Sequence, residues 1–527
     1  MASSPSTVAA ASDTAHRPWL PTALTAFSLS HLCFVRAWFS VLYDKDFGYF
    51  NLIRVNAHTL VGLALNMLLL ALVFWLAATG VQRLGWRWLK RIEILVVLVL
   101  FLIPINFVRL EYFSISAATM LAFATHPVIL TAVAIGGLLI WRWYSWAARV
   151  IRALLLVLSP LGMMTFGRIL LILMGVIELR QHQEPIILAP LLAEAKSQPR
   201  VVWLILDELD YRLTFSERPS HVHLPAFDRL RAESLFATNA LPPANSTITS
   251  LPTLITGQRV AAAALCSPHD LRLTLAPGGE TARWSALSNV FSRARSLGFN
   301  SAAVAWYHPY DRVFSNALSF CSWYPMPLFQ QARGRNLGEA MANHLWSNLS
   351  PIQQRRLTLR IYHDSLAKAI QVTTNRHYGL SFLHLPGPHH PAIYDSKEDR
   401  FTILNFSTAQ GYFDNLALTD MALGELRRQM ESAGVWDDTW LIVSADHPWR
   451  ESARYDGRFD QRIPFLVKAP GRSQAIEFAN RFNTIVTADF ILAILSEKIN
   501  SPASARDWLI QNLIDIPPEQ GVSKWDH

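Results

Sequence analysis

Hydrophobic and polar positions divide this chain into two unlike parts. Up to residue 177, apolar runs at 21–43, 59–80, 92–109, 119–141 and 153–177 alternate with short polar loops. Runs of that length match the hydrocarbon thickness of a bilayer, so an N-terminal bundle of five transmembrane helices is expected over 21–177. Beyond residue 199 the period changes. Val201–Leu206 is a short, branched apolar run that stops at Asp207-Glu208, the pattern of a buried strand rather than a helix. Strand patterns return at Asn300–Trp306, Gly379–Leu383, Trp440–Ser444 and Ile463–Val467. Between them, helical spacing runs over Leu224–Leu235, Leu287–Leu297 (closed by Gly298), Tyr412–Ser432 (closed by Gly434) and Thr484–Leu495. Strands alternating with helices predict one α/β domain over 200–527 with a largely parallel central sheet. Residues 1–20 are small and polar and do not read as a cleaved signal. Residues 178–199, with Pro185 and Pro190, read as a linker.

Charge orients the first part. The loop 81–91 carries Arg83, Arg87, Lys90 and Arg91, and 142–152 carries Arg142, Arg149 and Arg152. The loop 44–58 balances Lys45 and Arg54 against Asp44 and Asp46, and 110–118 holds only Glu111. The positive-inside rule makes the two basic loops cytoplasmic. The N-terminal tail is then cytoplasmic, and five crossings carry the α/β domain outside, into the periplasm of a Gram-negative cell. The net charge of +8 comes with no nucleic-acid motif, so no nucleic-acid partner is expected and the excess reads as orientation signal and affinity for anionic lipid. His31, Arg36, Asn106, His126 and Arg168 interrupt the apolar runs. Two readings stand: a groove for lipid phosphate, or structural pairing and snorkelling. Of three cysteines, Cys266 and Cys321 either form one disulfide outside the cytoplasm or remain free.

Four groups of candidate residues stand where strands end, the place where open α/β sheets bind ligands. Asp207 and Glu208 are natural ligands for a divalent ion. Asn245-Ser-Thr-Ile-Thr-Ser-Leu-Pro-Thr-Leu-Ile-Thr-Gly257 places Thr247 near a helix N-terminus, where amides and dipole favour phosphate. A plain N-cap role for Ser246 or Thr247 competes with that reading. His384-Leu-Pro-Gly-Pro-His389-His390-Pro clusters imidazoles suited to metal, phosphate or proton transfer, or is a proline-stiffened surface loop. Asp446-His447, after Leu-Ile-Val-Ser-Ala, pairs a carboxylate with an imidazole, a natural zinc or manganese couple.

In that order these groups resemble the alkaline phosphatase/sulfatase superfamily, over roughly residues 200–500. With spans in front, the layout resembles the membrane-anchored lipid phosphoethanolamine transferases and lipoteichoic acid synthases. The resemblance implies that Asp207, Glu208, Asp446 and His447 bind metal, with Thr247 as a metal-bound nucleophile. It implies substrate contacts for His384 and His389, the latter also catalytic. The stretch Gly298-Phe-Asn…His308-Pro-Tyr-Asp-Arg312 is similar to one that supplies a substrate histidine and arginine, which points to His308 and Arg312. Formylglycine requires Cys or Ser followed by Pro or Ala and then Arg; with Thr249 and Leu251 here, that modification is not encoded. Cys266-Ser-Pro-His-Asp270 ends on the wrong residue for it. Two departures stand out: Pro448 replaces the glycine usual after Asp-His, and Arg450, Arg454 and Arg458 fill the next loop, where arginines either clamp phosphate or sit solvated.

The sequence therefore leads to a metal-dependent phosphotransferase using Zn2+ or Mn2+. It is expected to move the head group of a phospholipid donor, phosphoethanolamine or phosphoglycerol, through phosphothreonine to a periplasmic glycan or lipopolysaccharide. The alternatives are a silent lipid-binding sensor and a hydrolase of phosphodiesters or sulfuric esters.

Overall fold

The computed structural model describes residues 19–43, 48–113, 123–179, 185–330, 332–471 and 474–520. The chain forms two compact units, but a single cut near residue 200 does not separate them. One comprises Met1–Tyr43, Val55–Glu178 and Gly334–Asn348; the other comprises Asp44–Arg54, Leu179–Arg333 and Leu349–His527.

The first unit is helical. Among the described residues, Ala57–Leu84, Arg87–Phe113 and Tyr144–Leu173 are long and apolar enough to cross a membrane. Trp19–Cys33 and Val35–Leu42 supply a fourth crossing if the pair, bent by 67°, counts as one span. Pro127–Arg142 is apolar but has only 16 residues. The expected run 119–141 begins in residues outside the described ones, as does most of the tail 1–20. Polar groups inside this unit pair with one another. His31 Nε2 meets Thr165 Oγ1 at 2.9 Å, Ser30 Oγ donates to the Met67 carbonyl, and Arg168 Nη2 donates to the Leu42 carbonyl at 3.1 Å. Arg109 donates to Asn106 Oδ1, and His126 Nδ1 accepts from the Val128 amide. Helix Leu337–Trp346, expected within the α/β domain, packs here instead. Gly62 lets Met341 approach to 3.2 Å from where a Cβ would stand, and Asn66 Nδ2 donates to the Met341 carbonyl at 2.9 Å.

The second unit is built on a nine-stranded sheet. In spatial order its main path runs Ile476–Phe478, Leu235–Leu241, Ile463–Lys468, Thr439–Ser444, Arg200–Leu206, Leu380–Leu385, Ser301–Trp306 and Phe320–Tyr324. The last five named are mutually parallel, and Ile463–Lys468 is antiparallel to both of its neighbours. The sheet is thus mixed, with one reversed strand in an otherwise parallel set. Arg200–Leu206 is central and fully buried, as expected of an unalternating apolar run covered on both faces. Helices Thr247–Thr256, Ser350–Thr374 and Ala409–Ser432 belong to this unit, with a small antiparallel sheet formed by Val260–Ser267, Asp270–Leu275 and Thr281–Arg283. Cys266 and Cys321 are free thiols.

The loop after the first apolar run belongs to this unit. Tyr49 and Phe50 are fully buried in its core. Arg312 donates to the carbonyls of Gly48, Tyr49 and Asn51, and Arg333 donates to that of Ile53. A buried guanidinium needs acceptors, and a loop without regular structure supplies them.

Candidate active site and metal centre

The strand Arg200–Leu206 delivers its two acids at its C-terminal end. Glu208 adopts φ of 63°, as does Tyr307 (φ 76°) just after Ser301–Trp306. Non-glycine residues in this region cost energy and gather at functional sites. The turn at Glu208 is held by its own amide, which donates to Asp446 Oδ1 at 3.3 Å, and by Tyr412 Oη, which donates to the Glu208 carbonyl at 3.0 Å. Tyr412 is itself stacked on Trp449, ring centroids 4.1 Å apart.

Thr247 opens the helix Thr247–Thr256. Ser246 occupies the N-cap position without a side-chain capping bond; its hydroxyl pairs with Thr249 Oγ1. Thr247 Oγ1 donates to Asp446 Oδ2 at 2.8 Å and lies 3.2 Å from His447 Nε2. Residues 199 and 200 positions apart in sequence therefore share one hydroxyl.

The imidazole tautomers follow from their carbonyl partners, since a carbonyl only accepts. His447 Nδ1 donates to the Pro448 carbonyl at 3.0 Å, and His384 Nδ1 donates to the Trp306 carbonyl at 3.2 Å. Each Nε2 then presents a lone pair. His384 Nε2 lies 3.6 Å from Asp207 Oδ2; His447 Nε2 lies 3.4 Å from Asp446 Oδ2 and 4.0 Å from Asp207 Oδ1. Burial pushes His384 down to about 4, so near neutrality it is uncharged. Lone pairs and carboxylate oxygens facing one another inside a protein repel unless a proton or a cation lies between them. Asp207 shows the same strain: burial first, then the charges of Asp446 and Glu208, push its carboxyl well above the usual range. For Asp446 burial also works against the charge, but His447, His384 and the Thr247 hydroxyl outweigh it and hold its pKa below the ordinary value. Asp207 Oδ1, Glu208 Oε2 and His384 Nε2 are buried without a hydrogen-bond partner. This donor set fits a divalent metal ion. Asp207, His384 and Asp446 offer ligand atoms within 4.8 Å of one another, and so do Glu208, His389 and His390.

A pocket lies over this cluster, lined by Asp207, Thr247, Trp306, Tyr307, Met326, His389, His390 and Arg450. His389 Nδ1 donates to the His390 carbonyl, which leaves Nε2 as an acceptor, and burial pushes its pKa down to about 3. Arg450 Nε donates to Glu208 Oε1 at 3.2 Å and brings a guanidinium to the pocket wall.

The structure thus brings together Asp207, Glu208, Thr247, His384, His389, Asp446, His447 and Arg450. His384 faces the acids rather than the pocket. Arg312, anticipated at the substrate, stands elsewhere; His308, also anticipated there, lies beside the site, against the Thr247 backbone and near His384, but does not line the pocket. His308 is fully buried among Trp284, Tyr307 and Tyr310, with Nδ1 3.0 Å from Tyr49 Oη. Arg312 spends its guanidinium on the carbonyls of the 48–51 loop and of Pro268. Sequence reading missed Trp306, whose Nε1 donates to Asp207 Oδ2 at 2.9 Å, and Tyr307 beside it. Their signal was their place at the end of an anticipated strand.

Residues 199–498 match the sequence model of the sulfatase family. An ulvan-active sulfatase from Formosa agariphila is 33% identical over 72 residues, 12% of this chain and 14% of that protein. The chain therefore aligns with only a small part of that relative. Among solved structures, the lipoteichoic acid synthase LtaP from Listeria monocytogenes aligns at 15% identity and TM-score 0.36, covering 57% of this chain and 72% of that one. The phosphonate monoester hydrolase of Agrobacterium radiobacter aligns at 14% identity and TM-score 0.39, covering 57% and 74%.

Proposed function

The chain belongs to the sulfatase family, and from that premise we propose that it is a membrane-tethered, metal-dependent phosphotransferase. The reaction we propose moves a phospholipid head group, phosphoethanolamine or phosphoglycerol, to a glycan or lipopolysaccharide hydroxyl in the periplasm. The helical part is the anchor, crossing the inner membrane five times with its N-terminus in the cytoplasm.

One observation carries this reading: a threonine hydroxyl, at the first turn of a helix, hydrogen-bonded to a buried acid inside a pocket that also holds Arg450 and His389. Asp207, Glu208, Asp446 and His447, joined by His384, would hold the ion. When bound, such an ion supplies positive charge that acidifies a nearby hydroxyl and offsets charge developing on phosphate. Thr247 passes its proton along its hydrogen bond to Asp446 and attacks phosphorus; the Thr247 Oγ1–P bond forms as the P–O bond to diacylglycerol breaks, the diacylglycerol oxygen leaves with that proton, and the head group stays on threonine as a phosphodiester. The helix N-terminus and Arg450 stabilise phosphate charge. In the second half-reaction neutral His389, with Nε2 as acceptor, takes the proton of the incoming glycan hydroxyl; the glycan O–P bond forms as the Thr247 Oγ1–P bond breaks, and the proton returns to the threonine oxygen. Tethering raises the effective concentration of a lipid donor at the bilayer surface.

The test uses the full chain in nanodiscs with phospholipid labelled in the head group, with and without Zn2+ or Mn2+. Release of diacylglycerol and a peptide carrying the labelled phospho-head group on Thr247 are expected, both abolished in Thr247→Ala. Label passing to water alone would make the enzyme a phosphodiesterase. Lipid binding with no turnover under any metal would leave a lipid-binding sensor.

A further inference from the structure

A second cavity adjoins the pocket through a shared wall. It lies between helices Ser350–Thr374 and Ala409–Ser432 and the segment following Leu380–Leu385, and is partly open to solvent. Its exposed lining is mostly apolar, with Leu366, Leu385, Ile393, Leu418 and Ala422 among its walls, and the side chains of Thr358, Ser365, Asn415 and Thr419 that border it donate to backbone carbonyls. His389 lines both this cavity and the polar pocket that contains Thr247. Tyr362 also lines the cavity and packs against Phe401 with ring centroids 5.6 Å apart. Phe401 is one of three exposed apolar side chains in a single short loop, with Leu404 at 67% and Phe406 at 56% exposure. Arg355 stacks over Phe406 at 4.2 Å.

Tyr362 thus links the exposed cluster to the cavity through Phe401, and His389 links the cavity to the pocket that holds Thr247. A mostly apolar cavity whose bordering hydroxyls and amide donate to backbone carbonyls offers a sugar few hydrogen bonds and suits an alkyl chain. Clustered exposed apolar residues on a folded unit mark a surface that meets another apolar phase. We propose that this cavity is an alkyl subsite. It takes a fatty-acyl chain of the lipid whose phosphodiester lies at Thr247, and Phe401, Leu404 and Phe406 form the mouth through which the chain arrives from a bilayer. The proposal rests on the phospholipid-donor reading given above and adds the half of the substrate that reading leaves unplaced.

The test is independent of turnover. The full chain is placed in nanodiscs containing a phosphatidylethanolamine with a diazirine on one acyl chain, irradiated, and digested for mass spectrometry. Labels are expected within residues 358–366 and 415–422, in addition to those in the membrane-spanning helices. Filling the cavity by Ala422→Phe, or independently by Leu366→Phe, removes contact with a few methylene groups and is expected to cut these labels about tenfold. Wild-type labels confined to the membrane-spanning helices, or labels in 358–366 and 415–422 that neither substitution reduces, overturn the alkyl subsite. Head-group release is followed in the same discs. Labels in the cavity without release would refute the transferase reading and keep the subsite; release without labels would do the reverse.

Discussion

Tyr49 lies in the loop between the first two apolar runs, yet its side chain is fully buried in the core of the second unit and bonded to His308. Replacing it by alanine removes a large buried ring and strands His308 Nδ1. Truncation of a fully buried aromatic costs about 3–5 kcal/mol. Tyr49→Phe keeps the ring and loses only the hydroxyl, a cost of about 1–2 kcal/mol. At about 1.4 kcal/mol per decade, alanine lowers the folding constant of the second unit by roughly two to three and a half powers of ten, and phenylalanine by about one. Hydrogen exchange of the amides of Trp203–Leu206, in the central strand, reads this directly in the full chain. Protection is expected to fall in the order wild type, Phe, Ala by those factors. If alanine leaves this strand's protection unchanged and loosens only Trp19–Cys33 or Ala57–Leu84, the assignment of this loop to the second unit is wrong.

Other outcomes follow from the same geometry. Asp446→Asn removes charge from the group that holds both the Thr247 hydroxyl and the Glu208 amide; bound metal, measured by plasma emission, should fall to background while Thr247→Ala retains most of it. Thr247→Ser preserves a hydroxyl at the helix start, so phosphopeptide formation should persist at a reduced rate and shift to serine, read by mass spectrometry. Lys468 donates to the carbonyls of Trp436 and Thr439, and burial lowers its pKa from 10.5 to about 8. The unfolded chain therefore binds this proton more tightly. Its contribution to stability is complete above pH 10.5 and is lost as pH falls through 8, a change of at most about 3 kcal/mol. Denaturant titrations of Lys468→Met should show a flatter pH dependence than wild type between pH 8 and 10.5; an equal slope refutes the assignment. Gly379→Ala places a Cβ against the buried Phe299 ring and should destabilise the second unit by about 1–3 kcal/mol.

What the amino-acid order determined by itself was local. A six-residue apolar run ending in two acids is a strand with ligands at its tip, because period and length leave no other regular structure. Thr247, Asp446 and His447 were recognisable from their own short segments, and so was a helical, membrane-compatible first part. Tertiary structure alone decided the rest, because distance in space is not a function of distance in sequence. It reversed Ile463–Lys468 within the sheet, since pairing direction depends on the connection and not on the strand's own pattern. It drew Leu337–Trp346 onto the helical unit, and it buried Tyr49 beside His308, because apolar faces bury wherever a complementary surface exists. The same burial left Arg312 holding loop carbonyls, while Trp306, an unremarked strand-end residue, became a donor to Asp207.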